Sequence, residues 1–135
     1  MSFVQERKVL FGDCDPAGIL YTPTIANYLV EACLAFLTER LGAPVERTMF
    51  NQGVSLPARA MNIEFLRSMT WDDIIHIEVA VESLRTRSLS LAIHGRNDAG
   101  ETAFRGELAM VCISTVNRKA VTMPAALKRA LESDD

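Results

Sequence analysis

Changes in the period of apolar and polar residues divide this chain into its elements. From Phe3 to Leu10 the alternation is loose, with Gln5 and Arg7 facing one way, and it predicts a first strand. Phe11 to Tyr21 has no period and reads as a loop. Gly12 and Gly18 are permissive there, and Pro16 pushes Asp15 towards an extended conformation. Thr22-Pro23-Thr24 then starts a helix, with a hydroxyl cap and a proline tolerated in the first turn. Gly42 and Pro44 stop it, so the helix runs to about Leu41. Its apolar positions include Ile25, Tyr28, Leu29, Ala32, Cys33, Phe36 and Leu37, while Val30 and Leu34 lie off that stripe. A helix apolar around so much of its circumference is buried rather than laid on a surface.

Val45 to Gly53 is expected to be a mixed connection, and beyond it the period is two. Met61, Ile63 and Phe65 alternate with Asn62 and Glu64. Ile75, Ile77, Val79 and Val81 alternate with His76, Glu78 and Glu82, and Leu89, Leu91 and Ile93 with Ser88, Ser90 and His94. Each pattern predicts a strand with one buried face. Asn97-Asp98-Ala99-Gly100 predicts a hairpin turn, and Glu101 to Val116 one long strand. That strand is apolar on both faces from Leu108 to Ile113, which predicts a second layer or a second subunit over it. Met123-Pro124 opens a short last helix, Ala125 to Leu131. The expected architecture is α+β: an antiparallel sheet of about five strands wrapped around one long helix.

Composition narrows this picture only a little. A chain of 135 residues, 49% hydrophobic and 23% charged, is expected to form a single domain spanning positions 1–135. The net charge of −3 is spread along the chain, so no nucleic-acid partner is expected. No apolar run reaches the roughly 20 residues of a membrane span, and the first residues lack the order of a signal peptide. The chain is therefore expected to be cytoplasmic, with no membrane partner. Cys14, Cys33 and Cys112 are widely spaced and suggest neither a disulfide framework nor a metal site.

The chemistry concentrates in Phe11-Gly12-Asp13-Cys14-Asp15-Pro16-Ala17-Gly18-Ile19-Leu20-Tyr21. Two carboxylates and a thiol stand directly before the amino end of a buried helix. Unpaired amides and the helix dipole stabilise developing negative charge at such an end. A carboxylate facing it across a substrate carbonyl can attack that carbonyl or activate a water, while the amides hold the oxyanion. Phe11, Ile19, Leu20 and Tyr21 can exclude water and accept an acyl group.

This loop closely resembles the signature of the 4-hydroxybenzoyl-CoA thioesterase family of hotdog proteins. The resemblance covers nearly the whole chain: the loop, the following helix and the strand order. It returns at Trp71-Asp72-Asp73-Ile74-Ile75 and at Leu84-Arg85-Thr86-Arg87-Ser88. It implies the hotdog fold and hydrolysis of an aryl- or fatty-acyl-CoA thioester, with neither cofactor nor metal. Carried across, the catalytic carboxylate is Asp15 rather than Asp13, and the carbonyl-polarising amide falls at or beside Thr22. Gly18 and Tyr21 then contact the substrate. Arg85, Arg87 and Ser88 fall in a stretch resembling the family's CoA phosphate-binding edge, with Arg67 a further candidate. The family's habit of joining sheets edge to edge implies a homodimer or homotetramer with a site lined by two subunits. Two departures stand out. Thr22 occupies a position where relatives often have Tyr or His, which leaves the backbone amide as its contribution. The position aligned with a common family acid on the helix reads Val30, with Glu31 beside it, and points away from a polar acyl group.

Plainer roles fit several other residues. Asp13 is expected to hold the loop by hydrogen bonds, Cys14 to be a small buried residue, and Glu31 to serve structure or an interface. His76 and His94 belong to polar strand faces and are expected to be solvated, while Asn62 and Ser114 read as satisfied core polars. A thioesterase acting on carrier-protein esters, or a non-catalytic acyl-CoA-binding domain, would share the fold.

Overall fold

The computed structural model describes residues 3–132. Strand β1 (Phe3–Lys8) leads through a short 3-10 turn (Phe11–Asp13) into helix α1 (Thr22–Leu41). A second helix, α2 (Val45–Asn51), a two-residue strand β2 (Val54–Ser55) and strand β3 (Ala58–Phe65) follow. The chain continues through β4 (Ile74–Leu84), β5 (Ser88–Arg96), β6 (Thr102–Val111), β7 (Ile113–Ser114) and helix α3 (Ala125–Glu132). Five strands form one antiparallel sheet in the order β1-β4-β5-β6-β3, and β2 pairs with β7 apart from it.

Helix α1 owes its place to its apolar stripe. Ile25, Tyr28, Leu29, Ala32, Cys33, Phe36 and Leu37 are all buried, against Ile75, Ile77, Val79, Leu89, Leu91 and Ile93 of the sheet. Each aliphatic or Phe side chain so buried contributes about 1.5–3 kcal/mol. The helix ends at Gly42, whose φ of 79° puts it in the left-handed region and whose amide returns to the Thr38 carbonyl at 2.9 Å. The architecture is the expected α+β one, a long helix wrapped by an antiparallel sheet.

Three expectations change. Val45 to Asn51 is helical, because Val45 and Met49, one turn apart, both reach the core. The stretch from Glu101 to Val116 is interrupted at Cys112, whose amide turns to the Arg87 carbonyl at 2.8 Å, and Ile113–Ser114 pair with β2 instead. Strand β3, expected to bury one face, is exposed along its length except at half-buried Ile63. It is the last strand of the sheet, and α1 packs over β4, β1 and β5 rather than over it.

Candidate active site

The Asp15 loop is tied to the segment that precedes β4. Val9 and Asp72–Asp73 exchange backbone bonds at 2.9 and 2.8 Å, the Leu20 amide donates to the Met69 carbonyl at 2.7 Å, and the Thr70 hydroxyl donates to the Gly18 carbonyl at 2.6 Å. Gly18 has φ of 82°, and a Cβ there would stand 3.1 Å from the Trp71 ring. Glycine therefore serves twice, by its backbone freedom and by its lack of a side chain. Trp71 also meets Phe11 edge to face, with centroids 5.3 Å apart.

Within this frame the half-buried Asp15 folds a tight turn on itself. Its amide donates to the Ile19 carbonyl at 2.8 Å, and its own carbonyl accepts the Gly18 amide at 2.9 Å. Oδ1 accepts the amides of Ala17 and Ile19, at 2.9 and 3.3 Å. Among the described residues no group bonds to Oδ2. One carboxylate oxygen thus orients the side chain, and the other carries no such bond.

Asp13 ties the loop to the helix. Its Oδ2 accepts the Tyr28 hydroxyl at 2.6 Å and the Leu10 amide at 3.1 Å, and its carbonyl accepts the Tyr21 amide at 2.9 Å. The Tyr28 hydrogen bond, more than any other influence, holds the Asp13 carboxyl below the usual carboxylate range, against the opposing pull of burial. Burial, and next the bond to Asp13, push the Tyr28 hydroxyl up, so it stays a donor. The Arg7 guanidinium lies 4.2 Å from the centre of the Tyr28 ring. Tyr28 was legible only as a core position. The available signal was its hydroxyl, since a tyrosine in a buried stripe needs a partner for it.

The start of α1 faces the same region. Tyr21 precedes the helix with its side chain half exposed and makes no side-chain cap, and Pro23 has no amide to offer. Thr22, exposed in the first turn, thus presents an amide with no acceptor further back in the helix. Thr22 and Arg67 share the wall of a cavity of about 350 Å³ with Ile19, Leu20, Ile25 and Phe65. Arg67 is partly engaged, with Nη1 donating to the Thr102 carbonyl at 3.2 Å and Nη2 3.3 Å from the Glu101 carboxylate.

Asp15, Gly18, Tyr21, Thr22 and Arg67 therefore gather at one end of the molecule. Arg85 and Arg87 do not join them. They are exposed in the turn between β4 and β5, with Ser88 opening β5, and that turn lies at the far end of eleven-residue β4. At about 3.3 Å per residue this is roughly 35 Å away within one chain.

The remaining candidates fall into ordinary surroundings. Burial first, then the charges of Asp13 and Asp15, push the half-buried Cys14 thiol up, which suits a packing residue and not a nucleophile. Glu31 is exposed. His76 and His94 are each half-buried and partnered rather than freely solvated: His76 Nε2 is 2.8 Å from Asp98 Oδ1, and His94 Nε2 is 2.7 Å from Thr102 Oγ1. Asn62 is exposed on β3 instead of lying in the core. Ser114, half-buried, accepts the Val116 amide at 3.0 Å.

A buried helix wrapped by an antiparallel sheet is the architecture of the hotdog fold. Residues 9–131 match the thioesterase-like superfamily, and the chain belongs to that family. It is 30% identical over 111 residues to 4-hydroxybenzoyl-CoA thioesterase of Pseudomonas sp. strain CBS-3, covering 82% of this chain and 76% of the relative. It is 25% identical over 128 residues to 1,4-dihydroxy-2-naphthoyl-CoA hydrolase of Thermosynechococcus vestitus, covering 95% and 87%. A solved gentisyl-coenzyme A thioesterase superposes with a TM-score of 0.86 at 26% identity, over 96% of this chain and 99% of the other. The protein is a thioester hydrolase of the hotdog fold. Among the described residues no helix is long and apolar enough to cross a membrane.

Proposed function

We propose that the protein hydrolyses acyl-CoA thioesters to a free acid and CoA, with Asp15 as the catalytic carboxylate. The observation that carries this reading is the hydrogen-bonded loop, which fixes Asp15 by Oδ1 alone and joins it to the uncapped start of α1. The Thr22 amide then donates to the thioester oxygen as it gains charge. Asp15 either attacks the carbonyl carbon, expelling CoA thiolate and leaving a mixed anhydride for water to cleave, or takes a proton from the attacking water. Gly18 and Tyr21 border the acyl group, and Arg67 lies on the cavity wall beside Thr22.

Arg85, Arg87 and Ser88 serve the same site from a second copy. Strand β3 is a sheet edge with Met61 and Phe65 exposed, and an identical β3 can pair with it antiparallel. Antiparallel pairing sets the Phe65 end of one strand beside the Ala58 end of the other. The arginine turn of the partner is thereby carried towards the Asp15 loop, where it can grip CoA phosphates.

Thiol release from a panel of aryl and alkyl CoA esters tests the reading. Asp15→Asn is expected to lose about 10²–10⁴ in kcat with folding retained, and undiminished turnover would remove Asp15 from the chemistry. Single turnover in ¹⁸O-water separates the two routes. Label recovered in the Asp15 carboxyl marks an anhydride opened at the aspartyl carbon; where label is confined to the product acid, a hydroxylamine-trapped Asp15 adduct marks an anhydride opened at the acyl carbon, and no adduct marks the general base.

A further inference from the structure

We infer that the acyl group accepted by this enzyme carries no hydrogen-bonding substituent, because an apolar channel between α1 and β3 ends in an apolar chamber. The inference rests on the thioesterase reading and adds the substrate class to it.

The channel follows from strand register. Met61, Ile63 and Phe65 pair directly with Leu108, Gly106 and Phe104, so all six positions look to the helix side of the sheet. Leu108 and Phe104 are fully buried, yet Met61 and Phe65 are 37% and 49% exposed. The helices therefore roof the sheet as far as β6 and leave the inner face of β3 as an open apolar floor. At its Phe65 end lies the cavity that holds Thr22. At its Ala58 end lies a larger chamber of about 450 Å³, walled by Val30, Leu34, Met49, Phe50, Leu56 and Met110.

Val30 and Leu34 are apolar positions off the buried stripe of α1, one helical turn apart, and the chamber is where they face. Val30 is eight residues beyond Thr22, about 12 Å of helix rise, a distance an acyl group can bridge. Only Ser55 and the exposed Glu46 interrupt the apolar wall. A cavity of about 150 Å³ is enough for a benzene ring, so this chamber has room for an alkyl chain or a fused ring. A hydroxyl at the far end of the acyl group, buried in it, would leave water for few partners, at a cost of about tenfold or more in affinity. Pairing of a second copy along β3 would use the backbone edge and leave the floor open.

Matched substrates and non-hydrolysable probes test the inference separately from the reaction. Decanoyl-CoA, long enough to reach the chamber, is expected to exceed its terminally hydroxylated analogue in kcat/KM by about tenfold. By calorimetry, S-octyl-CoA is expected to bind at least about tenfold more tightly than S-butyl-CoA, given several methylenes newly buried. Val30→Phe, which narrows the chamber on the side nearer Thr22, is expected to collapse the octyl-to-butyl ratio to about two. The wild-type comparisons stand alone if that variant does not fold. Equal or better turnover of the hydroxylated ester, or equal binding of the two thioethers, overturns the inference while leaving the hydrolase intact. Preserved thioether discrimination with no ester hydrolysed would instead overturn the proposed reaction and keep the chamber.

Discussion

The two ends of the sheet are built to different standards. At the Asp15 end, bonds run between segments far apart in sequence: Leu20 to Met69, Thr70 to Gly18, Tyr28 to Asp13. At the Arg85 end the backbone of the turn is also tied, by Arg85 to Ser88, Cys112 to Arg87 and Met123 to Thr86, but both guanidinium side chains are exposed and, unlike the Asp15 carboxylate, are not fixed by the loop. The contrast matches the chemistry assigned to each end. A reacting carboxylate must be held to within about half an ångström. A cation that attracts phosphates acts over roughly the 8–10 Å of ionic screening and tolerates a loose mount.

The largest expected effect comes from dividing the two ends between protomers. Asp15→Asn and the double variant Arg85→Ala/Arg87→Ala, each weak alone, should regain turnover when co-expressed, because a mixed dimer rebuilds one intact site. Purified mixed dimers with no more activity than either parent would confine the site to one chain. Next in size is Gly18→Ala, which forces a side chain into the left-handed region and against Trp71. A loss of about 1–3 kcal/mol in urea unfolding is expected, together with a fall in kcat. An unchanged midpoint would mean the loop does not depend on that packing.

Tyr28→Phe keeps the ring beneath Arg7 but removes the hydroxyl from Asp13. A stability loss of about 1 kcal/mol is expected near neutral pH, at the low end for a charged acceptor because Asp13 is only half-buried. Its pH dependence has a definite sign. The Asp13 pKa is lowered from 3.8 in the fold, so its contribution is complete above that value and is lost as pH falls below it. The gap between wild type and Tyr28→Phe should therefore close in acid, and a gap constant to pH 2 would point to packing instead. The smallest effect is expected at the loose end. Arg85→Ala or Arg87→Ala alone should raise KM about three- to tenfold with little change in kcat or unfolding midpoint, an effect that shrinks as salt rises.

Much of this was legible along the chain because it depends on neighbours in sequence. The seven stripe residues of α1, from Ile25 to Leu37, declare themselves by spacing alone, and all seven are buried. Gly42 ends the helix for a steric reason that needs no partner. The loop string from Phe11 to Tyr21 was specific enough to mark the family and the candidate site. Helix α2 was missed because seven residues offer a single apolar pair, Val45 and Met49, too little to establish a period.

The amino-acid order by itself determined the class of fold, the long buried helix and the loop that carries the carboxylates, since turn sterics and hydrophobic period act over a few residues. Tertiary structure alone decided that Asp13 meets Tyr28, that β3 is an uncovered edge, and that the arginine turn stands a full strand length from Asp15. Those outcomes depend on which strands pair and in what order. That choice is made by long-range burial and hydrogen bonding over the whole sheet, and no local pattern encodes it.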